Sequence, residues 1–307
     1  MPAAEPPPSG PLPSGPLPSG VPPAGTLPPS TPSAGPLRDR GRGTGPGQQS
    51  QSLERGLAIL SAFGEGQPLL GITDLAARVG LTKSTAHRYI STLATLGYLR
   101  QDPLTRRYRL GPRAVDLGLA AINSMEVTQI ALPLLQALAD ETGHTVSMAI
   151  LDGVEIVYVE RCRSARQGAR LGIDLHLHVG SRLPAYCTSM GKVLLAYQPP
   201  GAIDELLDRM DLARRGPNTL TAREPLVAAL QRIRQNGWAA NDEELAPGLR
   251  SLAVPVRDAS GEVTAAVNIA IHLSIWNASI DSIVRRLEPP LQRTAREISA
   301  KLGHRPR

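Results

Sequence analysis

The chain is 307 residues long, 41% hydrophobic and 20% charged, with a formal net charge of +6, which leaves room for about two domains that each bury a core. No uninterrupted apolar run approaches the length of a membrane-spanning helix, and no charged-then-apolar signal peptide opens the chain, so a soluble protein of the reducing cytoplasm is expected. Cys162 and Cys187 are the only cysteines, too few for a disulfide framework or a Cys-rich zinc site, and with no Rossmann or P-loop phosphate cradle the chain is expected to need no cofactor.

The first fifty residues include the near-repeat SGPLPSGPLPSG. Such a stretch cannot bury enough apolar surface to offset its ordering entropy, so residues 1–50 are expected to be a disordered Pro/Gly-rich tail. Arg38, Arg40 and Arg42 at its end either add weak, salt-sensitive nucleic-acid affinity or are simply solvated.

Residues 51–111 read as a winged helix-turn-helix. SLERGLAILSAF forms a first helix, with Leu53, Leu57, Ile59, Leu60 and Phe63 assigned to the core. Ile72, Leu75, Ala76 and Val79 recur at helical spacing, and Gly80 ends that helix where a positive φ is convenient. The next helix starts near Thr82 or Lys83 and turns Ala86, Tyr89, Ile90 and Leu93 inward. Its outer face carries Lys83, Ser84, Thr85, His87, Arg88 and Ser91, hydroxyls and basic groups suited to phosphates and base edges of double-stranded DNA. Two short strands around Asp102-Pro103-Leu104-Thr105 form a wing whose Arg100, Arg106, Arg107 and Arg109 suit the backbone or minor groove. The alternative is a compact three-helix domain that binds protein, its arginines merely solvated. Charge favours DNA: residues 50–113 hold nine Lys/Arg against four Asp/Glu, whereas residues 114–307 balance at 21 against 21.

RAVDLGLAAINS places a linker helix over 112–125, whose Val115, Leu117, Leu119 and Ile122 suit packing against a second copy or, as an ordinary amphipathic helix, against the next domain. From 126 to 304 the pattern is α+β. A helix VTQIALPLLQALADETG precedes a hairpin at Asp152-Gly153, a second hairpin surrounds Ser260-Gly261, and a terminal helix follows. Hairpins on one sheet with helices against it describe a sensor-type domain.

Catalysis is the rival class. Cys187 or Ser189 with His176 or His178 invites a nucleophile–base reading, but no orienting third group is specified. The HLH run could supply two metal ligands, without an evident third. The chain is therefore read as no enzyme. A thiol-based redox sensor using Cys162 and Cys187 is a second rival, against which Cys187 can equally be a small buried hydrophobe.

SLERGLAILSAF, the helix pair, GSRLPAYCTSMGKVLLA at 180–196 and NDEELAPGLRSLAVPVRD at 241–258 together resemble the IclR family of transcriptional regulators from about Ser52 to Leu302. LHVGSRLPAYCTSMGKVLLA is similar to the PcaR, PcaU and PobR subgroup, which controls protocatechuate, 4-hydroxybenzoate and β-ketoadipate catabolism. The resemblance implies a homodimer, assembling further to a tetramer on DNA, with a C-terminal GAF-like domain that binds a small carboxylate effector. It directs attention to the 180–190 loop, with Ser189 and Met190, and to Asn241 and Ser251, positions often acidic and sometimes Cys in the family. A carboxylate needs a cation or several amide donors. Arg182 and Arg161 are the nearest cations, with Tyr186, Cys187, Thr188 and Asn268 completing the candidate set. Arg182 could instead pair with Asp242 or Glu243.

Overall fold

The computed structural model describes residues 50–64, 67–164, 177–273 and 276–305. The proline-rich tail and His176 lie outside the described residues.

Helices α1 (Gln51–Ser61), α2 (Ile72–Arg78) and α3 (Lys83–Thr95) and the antiparallel hairpin β1 (Leu99–Gln101) with β2 (Tyr108–Leu110) form the N-terminal unit. Ser50 caps α1, and Thr82, whose hydroxyl accepts from the Thr85 amide, caps α3. Gly80 turns between α2 and α3 at a φ of 64°. The core contains Ile59, Leu70, Leu75, Ala76, Ala86, Ile90, Leu99 and Tyr108, with Leu60, Phe63, Tyr89 and Leu93 packed against it. Leu53 and Leu57 depart from expectation: they are 63% and 52% exposed. Ile59 is the buried side chain of α1, whereas Leu53 and Leu57, one turn apart, line a separate stripe outside that core.

Helix α4 (Pro112–Asn123) starts on a proline whose missing amide costs nothing at that position, and it buries none of its side chains. Val115, Leu117 and Leu119 are all more than half exposed. A bend of 82° separates it from α5 (Glu126–Thr142). The buried Thr128 hydroxyl clasps the joint by sharing its one proton between Ile122 O (2.9 Å) and Met125 O (2.7 Å), and Gln129 Nε2 donates to Asn123 O (2.6 Å).

The C-terminal unit is built on a six-stranded antiparallel sheet of order β5-β4-β3-β8-β7-β6. The strands are β3 (Thr145–Asp152), β4 (Glu155–Cys162), β5 (Arg182–Pro184), β6 (Ala239–Asp242), β7 (Leu249–Arg257) and β8 (Val263–His272). Helices α5 and α9 (Ile280–Lys301) pack on one face; α6 (Ser189–Ala196), α7 (Pro200–Asp208) and α8 (Arg223–Asn236) join the core of the other.

Strand alternation assigns the two faces different chemistry. Val146, Met148, Leu252, Val254, Val256, Val267, Ile269 and Ile271 fill the α5/α9 side. The opposite positions are small or polar: Ser147, Ala149, Ser251, Ala253, Ala266 and Asn268. Small residues let the wholly buried α6 approach the sheet closely. Gly191 is needed for the same reason, since a Cβ there would lie 2.2 Å from Ala185 O. Both hairpins and the terminal helix stand where the turn signals put them. The stretch read as a 180–190 loop is instead strand β5, a short connection and the first turn of α6, so Ser189 and Met190 are helical.

Candidate functional site

Two surfaces gather the predicted residues. On α3, Lys83, Ser84, His87, Arg88 and Ser91 are exposed and Thr85 is partly so. Thr82 Oγ1 donates to Thr85 Oγ1 (2.9 Å), and the Arg88 guanidinium lies 5.6 Å from the Tyr89 ring centroid. Tyr89 OH in turn donates to Ser52 Oγ (3.3 Å), tying the reading helix to α1. On the wing, Arg106 and Arg107 are exposed beside a turn organised by one carboxylate. Asp102 Oδ1 accepts from the Thr105 amide (2.7 Å), the Thr105 hydroxyl (2.9 Å) and the Leu104 amide (3.1 Å). The hydrogen bond from the Thr105 amide, followed by that from its hydroxyl, holds the Asp102 carboxyl below the usual range. Arg106 occupies the left-handed region at a φ of 58°.

The second surface is the small-residue face of the sheet where α6 begins. Ser189 Oγ lies 2.7 Å from Ser251 Oγ, fixing the first turn of α6 above β7. Thr188 caps that helix by accepting from the Gly191 amide (3.1 Å). Asn241 Nδ2 donates to Cys187 O (2.5 Å), and Asn241 Oδ1 accepts from the Glu244 amide (3.1 Å). Both ends of that side chain therefore serve the fold. So does Tyr186, whose hydroxyl donates to Ala213 O (2.5 Å). Met190 and Cys187 are buried in the apolar cluster.

Asn268 is different. It is 5% exposed, and its Oδ1 has no hydrogen-bond partner among the described residues. In sheet register Asn268 stands opposite Ser147, and Ser147 stands opposite Arg161, so three polar side chains form one row across β8, β3 and β4. Arg161 Nη1 reaches Ser147 Oγ at 3.4 Å. Tyr158 flanks the row on β4; burial pushes its hydroxyl up to about 12, against the pull of Arg161.

Arg182 is brought to neither surface. Its Nε donates to Glu155 (2.9 Å) and its Nη2 to Asp152 (2.5 Å), so two carboxylates on the adjoining hairpin answer its charge. The alternative of a structural ion pair therefore describes Arg182, but with other partners than Asp242 or Glu243, which Arg250 holds. An unforeseen feature is the buried pair Lys192–Glu244: Lys192 Nζ donates to Glu244 Oε1 and to Ala240 O, binding α6 to β6 and the following loop. Burial raises the Glu244 carboxyl despite Lys192, and its Oε2 has no hydrogen-bond partner among the described residues. Nothing in a lone lysine of an apolar run announces such a pair. Ser147, by contrast, was visible as the polar member of the alternating HTVSMAIL.

Among the described residues the rival chemistries find no geometry. Cys162 belongs to the cluster on the α5/α9 side and Cys187 to that on the α6 side. Burial pushes their thiols up to about 11 and about 12, so neither is a ready thiolate. Cys187 Sγ lies 3.9 Å from Pro184 O, and Ser189 engages Ser251 rather than a histidine. Among the described residues no cluster of three or more His, Cys, Asp or Glu is placed to hold a metal, and no single helix is long and apolar enough to cross a membrane.

Comparison with known proteins agrees with this layout. The IclR helix-turn-helix domain matches residues 52–103, and the C-terminal domain of bacterial IclR transcriptional regulators matches residues 119–300. The Pca regulon regulatory protein of Pseudomonas putida is 38% identical over 251 residues, covering 82% of this chain and 84% of its own. The p-hydroxybenzoate hydroxylase transcriptional activator of Acinetobacter baylyi is 32% identical, covering 80% and 89% respectively. A crystal structure of an IclR homologue of Microbacterium hydrocarbonoxydans complexed with 4-hydroxybenzoate superposes with a TM-score of 0.69 at 27% identity, over 82% of this chain and 98% of that one. A helix-turn-helix joined to a helix-flanked sheet domain, matched by such relatives over about four fifths of the chain, is a DNA-binding regulator and not an enzyme, and the chain belongs to the IclR family of transcriptional regulators.

Proposed function

We propose that this regulator binds operator DNA as a homodimer in the cytoplasm, pairing further to a tetramer there, and responds to a small aromatic carboxylic acid. The observation that carries the effector reading is Asn268, a buried amide with an unmatched oxygen on the sheet face against which α6 packs. A buried polar atom without a partner costs about 1–3 kcal/mol, which a ligand hydroxyl would recover. The first amides of α6, at Ser189 and Met190, favour an anion on the same face. The relatives above concern the Pca regulon and p-hydroxybenzoate hydroxylase, and the structural neighbour holds 4-hydroxybenzoate, which supports the aromatic class.

For DNA, Lys83, Ser84, Thr85, His87, Arg88 and Ser91 of α3 read the major groove while Arg106 and Arg107 of the wing follow the backbone or minor groove. Leu53 and Leu57 of α1 and Val115, Leu117 and Leu119 of α4 support the homodimer, because a second copy would cover apolar side chains that this chain leaves exposed. Residues 51–111 form the DNA-binding unit, 112–125 the linker and 126–304 the effector unit.

Thermal shift with protocatechuate, 4-hydroxybenzoate and ring-cleavage products tests the effector reading, since a ligand of the folded state raises the melting point by mass action. A stabilising aromatic acid is expected, and a panel without one would refute the class. Arg88→Ala should weaken operator binding and leave effector affinity intact; loss of both in calorimetry would refute the division of labour.

A further inference from the structure

Leu104, at the tip of the hairpin between β1 and β2, is 91% exposed, more than any other large apolar side chain at the surface of the described residues. Its backbone is nevertheless held on both sides. The amides of Leu104 and Thr105 donate to Asp102 Oδ1, the Asp102 amide donates to Arg107 O (2.8 Å), and the Arg106 amide donates back to Asp102 O (3.0 Å). Pro103 precedes it, also exposed and with its φ fixed by the ring. The tip is therefore a stiff apolar point, and its leucine is not free to fold back onto the domain.

Arginines surround that point. Arg106 and Arg107 follow it, and behind them Arg100 stands opposite Arg109 in strand register, all four exposed. Like charges directly opposite destabilise a hairpin, so a polyanion would relieve the arrangement. An apolar tip within a basic collar matches the DNA minor groove, which is about 6 Å wide, too narrow for a helix, and walled on both sides by phosphates. A protein partner would have to offer an acidic rim around an apolar hole. Residues 114–307 of a second copy, at 21 basic against 21 acidic, carry no such excess.

We infer, resting on the placement of the wing against DNA proposed above, that Leu104 is a minor-groove probe that rejects the amino group of guanine and so selects A·T pairs beside the half-site read by α3. Leucine and proline are among the apolar wedges that minor-groove proteins insert. In that groove A·T and T·A pairs show only acceptors, whereas G·C adds the amino donor of guanine. A leucine seated on the floor displaces the water that solvates this donor and offers it no acceptor, which disfavours G·C. The guanidiniums beside it supply donors for the acceptors of A·T pairs.

The test is fluorescence anisotropy of the full chain with random-sequence duplexes that are alike in the major groove. One is ordinary, one carries inosine for guanine, which removes the minor-groove amino group, and one carries diaminopurine for adenine, which adds it. Wild type should bind the inosine duplex about tenfold more tightly than the diaminopurine duplex, the order of effect that burying part of a leucine supplies. The ordinary duplex should fall between them. Leu104→Ala should bring the ratio to about one while the melting point and the salt slope stay at wild-type values, because the side chain is exposed and uncharged. Leu104→Met should keep most of the preference, and Arg106→Ala should make the salt slope shallower. A wild-type ratio of about one would overturn the probe, as would a Leu104→Ala variant that keeps the wild-type preference. So would equal weakening on all three duplexes, the mark of a lost contact between protein copies. In each of these cases the placement of the wing on DNA stands. If Arg106→Ala leaves both affinity and salt slope unchanged, that placement itself falls.

Discussion

Replacing Arg106 with glycine separates what the wing tip costs the fold from what it gives the interface. The turn is over-determined: Asp102 accepts three hydrogen bonds, the Arg106 amide donates to Asp102 O (3.0 Å), and Gln101 Nε2 donates to Arg106 O (3.0 Å). Arg106 is thereby held at a φ of 58°, where a side chain costs about 1–2 kcal/mol. Glycine removes that strain but brings an unfolded-state entropy penalty of about 0.5–1 kcal/mol. The net expectation is a gain in stability of up to about 1.5 kcal/mol, read from the urea midpoint. Arg106→Ala keeps the strained backbone and should stay within about 0.5 kcal/mol of the parent. Both variants lose the guanidinium, so on random-sequence duplex the slope of log affinity against log salt should become shallower by about 0.9 for each arginine removed. A glycine variant less stable than the alanine variant would refute the strain argument. An unchanged salt slope would refute the assignment of Arg106 to DNA.

Other outcomes follow from the buried groups and caps. Lys192→Met strands the Glu244 carboxylate and should cost about 3–5 kcal/mol near neutral pH. Because burial raises the folded-state value of Glu244 above its unfolded one, its contribution favours folding below the usual carboxylate range and is lost as pH rises through the folded value. Urea titrations should therefore find the variant's deficit smaller at acid pH, and a deficit independent of pH would contradict this account. Thr82→Ala removes the cap of α3 and should lower stability by about 1 kcal/mol, measured the same way. With thiols pushed up to about 11 and about 12, Cys162 and Cys187 should resist an aromatic disulfide reagent at pH 8 until denaturant is added. A double Cys→Ser variant should keep its DNA affinity under peroxide; prompt labelling of native protein would revive a redox role.

The sequence disclosed most where one local signal had one physical solution. Helical spacing interrupted by Gly80, and turns at Asp152-Gly153 and Ser260-Gly261, leave little choice of structure. Strand β5, at three residues, and β6, at four, are too short to show alternation, so the stretch around Arg182 read as loop. Hydrophobicity placed Leu53 and Leu57 inside because apolar character alone does not say which stripe of a helix faces the core. The arginines exposed the same limit in another form. Arg182 stood in the most suggestive motif, yet its partners Asp152 and Glu155 come from a hairpin some thirty residues earlier in sequence, which spacing cannot anticipate. Arg161 acquires its neighbour Ser147 only through strand register.

The clasped bend between α4 and α5 turns a helix with no buried side chain into a lever. At 1.5 Å per residue its twelve residues span about 18 Å, so a rotation of about 5° at the Thr128 clasp carries the far end by about 1.6 Å. Were the joint slack, that displacement would dissipate before reaching the wing. The bifurcated hydrogen bond from Thr128 to the carbonyls of Ile122 and Met125, with that from Gln129 to Asn123, braces the elbow, so a rotation at the joint would be passed along α4 toward the domain that carries α3.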